Sequence, residues 1–158
     1  MPKININGWT HHPGGPHPIS GQDDGPYSET ALGDVVGLSQ FGVHLERLPP
    51  GSRSSHRHWH ETEDEFVYLI SGTLVLIEET ETVLSAGDAA GWKAGQATAH
   101  CLENRSDADA VLLVVGTRTS KDVVHYPDHD VILHRDGDGR RYTRGDGTPL
   151  PDPALPAG

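Results

Sequence analysis

Apolar and polar residues alternate with a period of two along much of the middle of this chain, the mark of strands with one covered face. Between Leu38 and Leu48, Phe41, Val43 and Leu45 alternate with Gly42, His44 and Glu46, and Pro49, Pro50 and Gly51 close the segment. A half-buried strand is expected there, with His44 and Glu46 sharing a face. Glu65–Ile70, Thr73–Ile77 and Glu81–Leu84 read as a meander, with turns at Ser71-Gly72 and at Glu78-Glu79-Thr80. Ala86-Gly87-Asp88 forms another turn, and Gly91 to Gly95 a loop. His100–Asn104 is again extended, and the run of Val and Leu in Ala110–Thr117 has the composition of a well-buried strand. There is no sustained helical period and no internal repeat. Short strands between regular turns predict an all-β sandwich or barrel.

The flanks lack this pattern. Residues 1–37 are rich in Gly, Pro, His and Ser without periodicity and are expected to form an arm over the body or over a partner subunit. Residues 38–134 form the expected barrel. Residues 135–158, rich in turn formers, are expected to trail as a loosely held tail. At 158 residues the chain is long enough for one domain, and its 19 Gly and 12 Pro suit many turns between short strands. A net charge of −11 repels phosphate backbones and anionic lipid, which argues against nucleic acid and membrane surfaces and for a small-molecule ligand. The start shows no signal-like apolar stretch, and no apolar run reaches membrane-spanning length. Cys101 is the single cysteine, which excludes an intrachain disulfide and fits a reducing, cytoplasmic setting.

The segment GSRSSHRHWHETEDEFVYLISG, from Gly51 to Gly72, carries the candidate chemistry. On a strand, His58 and His60 point the same way with Trp59 opposed, so both imidazoles can meet one ion. Glu65 follows across an acidic bend as a third donor. With no sulfur at hand, such a nitrogen and oxygen site suits a first-row divalent ion. Alternation alone also allows the pair His56 and His58.

Together with His100, these residues resemble the cupin superfamily. Its first motif is Gly, five residues, His-x-His, three or four residues, Glu, six residues, Gly; here six residues separate Gly51 from His58, four separate His60 from Glu65, and six separate Glu65 from Gly72. Its second motif is Gly, five residues, Pro-x-Gly, two residues, His, three residues, Asn. Here five residues follow Gly87, Lys93-Ala94-Gly95 stands for Pro-x-Gly, four residues precede His100, and three lead to Asn104. From about Leu38 to Arg118 the chain is similar to small single-domain bacterial cupins, some provisionally labelled sugar-phosphate isomerases. The resemblance implies a double-stranded β-helix, or jelly-roll barrel, holding one divalent transition metal ion (manganese, iron, nickel or zinc) on His58, His60, Glu65 and His100. It also implies a homodimer, in which the arm or the tail is expected to cover the neighbouring barrel.

The remaining signals are weaker. His56 is read as a solvated neighbour, Glu61, Glu63 and Asp64 as surface charge, and His11, His12 and His17 as loop residues. Asn104 either orients a ligand or caps the turn into Arg105-Ser106-Asp107. Asp136 to Gly139 begins like a calcium loop but lacks its later acidic positions, so a turn is expected. Cys101 is expected to be packed and inert. Four protein ligands leave a six-coordinate ion two open positions, which permits isomerase or lyase chemistry on an oxygenated metabolite. The leading expectation is a metal-dependent sugar or sugar-phosphate isomerase. Alternatives are an iron-dependent dioxygenase and a non-catalytic small-molecule-binding protein. Tyr68 and His44 are candidate acids or bases. Arg47, Arg53, Arg57, Lys93 and Arg105 are candidate phosphate partners, with no cluster evident in the sequence.

Overall fold

The structure, a computed structural model, describes residues 3–5, 8–17 and 19–152. Its strands are β1 (Thr10–His12), β2 (Tyr27–Thr30), β3 (Phe41–Leu48), β4 (Trp59–His60), β5 (Glu65–Ser71), β6 (Thr73–Ile77), β7 (Glu81–Ser85), β8 (Ala89–Trp92), β9 (Cys101–Glu103), β10 (Ala110–Thr117), β11 (Lys121–Tyr126), β12 (Val131–Asp136), β13 (Gly139–Thr143) and β14 (Pro149–Leu150). A single helical turn, α1 (Leu32–Val35), precedes β3.

One sheet runs β1-β2-β3-β10-β5-β8, all antiparallel, with the Val- and Leu-rich β10 at its centre. A second layer is built from β7-β6-β9 and from β14-β13-β12-β11-β4. These two pieces are joined where His58 bridges His100 and Arg53 bridges Glu103. Strands distant in sequence pair, β3 with β10 and β6 with β9, so the chain winds through both layers as a double-stranded β-helix. Its core lies between the layers. Leu48, Leu69 and Leu112 from one meet Leu74, Leu76 and Leu102 from the other.

The expected meander is only partly present. β6 and β7 form a hairpin, but β5 and β6 lie in different sheets, because the chain crosses between layers at Gly72. That residue has φ +85°, and a Cβ there would stand 2.7 Å from the Ala110 Cα.

The faces of β3 also differ from the simplest reading. Glu46 and Leu48 are buried and Phe41 is exposed, so the face carrying Gly42, His44 and Glu46 looks into the barrel. The flanks are more ordered than their composition suggests. β1 and β2 extend the chain's own sheet beyond β3, so His11 and His12 are strand residues. The supposed tail supplies β13 and β14, with Tyr142 and Thr143 buried. Asp136 and Gly139 close the β12–β13 hairpin as a turn, with Gly137 at φ +57°. Among the described residues, no helix is long and apolar enough to cross a membrane.

Candidate metal centre

The local fold places the expected ligands by separate means. His58 and His100 lock one another's backbone, each N–H donating to the other's carbonyl at 3.1 and 3.0 Å. His60 is held on β4 by pairing with Val124 of β11, and Trp59, opposed as expected, stacks on His125 with ring centres 4.0 Å apart. Glu65 opens β5 opposite Gly116 and Trp92. Trp92 in turn stacks on His100 at 3.5 Å.

The side chains converge on one oxygen. Glu65 Oε2 lies 3.0 Å from His100 Nε2, 3.8 Å from His58 Nε2 and 3.9 Å from His60 Nε2. Donor atoms around an ion at roughly 2.1 Å stand roughly 3–4 Å apart, so these separations suit a first-row divalent ion. Each imidazole is turned toward this point by its other nitrogen. His60 Nδ1 meets Asp122 Oδ2 at 2.6 Å, His58 Nδ1 meets the His56 carbonyl at 2.9 Å, and His100 Nδ1 meets the Thr98 carbonyl at 3.1 Å. These partners accept hydrogen bonds, so the rings carry their protons on Nδ1 and direct Nε2 lone pairs inward. A neutral His100 has one N–H and cannot donate to both Thr98 and Glu65. A cation between Nε2 and Oε2 would satisfy both atoms.

The charge states agree with this reading. Burial drives the His58 pKa down to about 4, against the opposing pull of Glu65, so the ring is neutral near pH 7. For Glu65, burial alone would raise the pKa, but without an ion a proton on His100 Nε2 donating to it and the neighbouring imidazoles outweigh burial and bring it to about 2; a cation at this point would take that proton's place. Burial likewise works against the Asp122 carboxylate, yet bonds from His60 and Thr62 hold its pKa below the usual range.

His58, Glu65 and His100 form one group of mutually close donors, while His60 joins a second one with Glu63 and Asp122. Glu63 is therefore more than surface charge: its carboxylate pairs with Arg135 at 2.8 Å and lies 3.9 Å from His60 Nδ1. Glu61 stays peripheral, bound to His125, while Asp64 stands at the mouth of the site and accepts from the Ala94 N–H. His56 is not solvated. It is 3% exposed, meets Asp24 through Nδ1 at 2.8 Å and Ser20 through Nε2, and so fastens the N-terminal segment to the barrel. With both nitrogens engaged, it has no lone pair to offer the site. His17 stacks on it at 4.0 Å.

Asn104 serves the turn: its amide donates to the Leu48 and Ala108 carbonyls and its oxygen accepts from Ser106. Cys101 is buried, and burial pushes its pKa up to about 11, as befits an inert thiol. Tyr68 lies on the outer face of β5. His44 faces inward, lining both a cavity of about 140 Å³ shared with His58, Glu65 and His100 and an open mouth of about 270 Å³ that also touches His60 and Glu65.

Of the candidate cations, Arg53, Arg57 and Arg105 gather around a different cavity, each paired with carboxylates. Arg118, not singled out in the sequence, stands at the mouth of the site, tied to Asp34 and to the Leu38 carbonyl. Asp122 was also missed. The signal it offers is a charged residue sharing a strand face with Val124 and Tyr126 in a short segment of mixed pattern.

Comparison with known proteins extends the likeness over 95% of the chain. The cupin domain family matches residues 44–116. A sugar phosphate isomerase of the cupin superfamily from Silicibacter pomeroyi is 41% identical, with a TM-score of 0.83 and coverage of 95% of this chain and 97% of that one. A protein from Acidithiobacillus ferrooxidans, provisionally a sugar phosphate isomerase, is 32% identical at a TM-score of 0.75, covering 80% and 81%. A polyketide cyclase from Streptomyces resistomycificus, 17% identical at a TM-score of 0.56 with 74% and 79% covered, shares the fold alone. No curated protein sequence matches. Identity over nearly the full length, together with the barrel and both sequence motifs, shows that the chain belongs to the cupin superfamily.

Proposed function

We propose that the protein is a metal-dependent isomerase of a sugar or sugar phosphate, with one divalent ion held by His58, His60, Glu65 and His100. The observation that carries the metal assignment is the fixing of each imidazole through Nδ1, which leaves the Nε2 atoms gathered around Glu65 Oε2. When bound, the ion supplies Lewis-acid stabilisation of negative charge on a substrate oxygen. The chain's own residues shape what enters. Glu63, Asp64 and Glu65 line the mouth beside Arg118, a setting that suits the hydroxyls of a sugar. A phosphate group would engage Arg118 in exchange for Asp34. The names of the two similar proteins support the reaction class.

We further assign a cytoplasmic homodimer. The support for pairing is the apolar outer face of the larger sheet, where Phe41, Phe66, Tyr68 and Ile70 are each 40–46% exposed. The N-terminal strands lie along the edge of their own sheet, which favours this face over the arm as the contact.

The reaction is tested by incubating the metal-loaded protein with aldoses, ketoses and their phosphates in deuterated water under nitrogen. Turnover without oxygen, with a redox-inactive ion, and with deuterium at the carbon beside the carbonyl is expected. A strict requirement for ferrous iron and oxygen would favour a dioxygenase, and binding without turnover a non-catalytic carrier or sensor.

A further inference from the structure

Glu46 is buried without a reason that stability supplies. Its residue is 8% exposed on the inner face of β3, and its Oε1 has no hydrogen-bond partner among the described residues. The other oxygen, Oε2, lies 3.7 Å from His44 Nε2, beyond a hydrogen bond. Across the sheet Glu46 faces Leu112 on one side and Glu29 of β2 on the other, a like-charged neighbour that itself pairs with His12 at 3.0 Å. A leucine at this position would pack with Leu48 and Leu112 and remove the cost of burying a charge.

What the position does offer is access to the site. Glu46 and His44 line the same 140 Å³ cavity as His58, Glu65 and His100. His44 also lines the open mouth, and its side chain is 31% exposed. One residue of the pair is thus closed in and the other connects it with water.

Resting on the isomerase reading, we propose that Glu46 is the base that moves the proton between the two substrate carbons and that His44 connects it to solvent. Glu46 takes the proton from the carbon beside the carbonyl. The C–H electron pair becomes the carbon–carbon double bond of an enediolate, and the carbonyl oxygen takes the charge. The hydroxyl proton passes to that oxygen, the new carbonyl forms at the neighbouring position, and Glu46 returns its proton to the former carbonyl carbon. Atoms and charge balance without an external oxidant or reductant. Exchange through His44 would carry solvent hydrogen into the product.

The test uses Glu46→Gln and His44→Gln in the full chain, with three readouts. Glu46→Gln should bind a full equivalent of metal and lose on the order of a hundredfold or more in turnover. In metal-free form it should melt no lower than the parent, since a buried charge without a partner has been removed. His44→Gln should lower the fraction of product carrying solvent deuterium more than it lowers turnover. Turnover of Glu46→Gln within tenfold of an active parent would overturn the inference alone, as would a metal-free variant melting several degrees lower, the sign of a structural residue. A parent protein that exchanges no hydrogen with any sugar would overturn the isomerase reading and this role with it.

Discussion

His60 has both ring nitrogens committed: Nε2 to the convergence point at Glu65, and Nδ1 to Asp122, whose side chain is fully buried and also receives the Thr62 N–H and hydroxyl. A carboxylate behind a ligating imidazole fixes its tautomer and raises its basicity. Asp122→Asn should therefore weaken divalent-ion affinity by roughly 10- to 100-fold. Titration of the variant with zinc in the presence of a competing chelator measures this, and an unchanged affinity would remove Asp122 from the site. The inward pair His58 and His60 was legible because alternation and motif spacing agree. Asp122 and Glu46 were not, because a charged residue on an unread or apparently polar face gives no sign of burial. His56 escaped for a related reason, since its partners Ser20 and Asp24 lie in a segment without periodicity.

The elements that hold these residues depend on a few sharp changes of direction. At Gly72 the chain leaves β5 and enters β6 in the opposite layer, with φ +85° and Ala110 in close contact. Gly72→Ala combines a left-handed backbone with a clash against backbone atoms, so it should destabilise the protein by more than about 1 kcal/mol. Urea denaturation would show this as a lower midpoint, and an unchanged midpoint would mean that the crossover relaxes freely. The strands themselves were mostly legible from the period of two. Their partners were not: the same alternation serves a hairpin neighbour or a strand in another layer, and the meander expected across β5, β6 and β7 reduces to one hairpin. β3 shows a second limit. Its more apolar face lies outward, on the face proposed for dimer contact, while its polar face serves the cavity.

At the scale of the molecule, two layers enclose an apolar core at one level and a set of ionisable groups at another, which ties stability to pH. His58 is held neutral in the fold, with a pKa of about 4 against 6.5 in the open chain. Between those values the unfolded chain binds a proton that the folded one does not. Stability from this group is complete above 6.5 and declines as pH falls toward about 4, by up to roughly 3 kcal/mol. Urea midpoints of the metal-free protein should fall between about pH 7 and about pH 4, and a flat profile would contradict the burial of a neutral ring. Elemental analysis combined with binding titration of the parent, His58→Ala and His60→Ala measures whether the ion is there. The parent should hold one divalent ion per chain and each variant should lose most of it; a full equivalent retained at parental affinity in both variants would contradict the account.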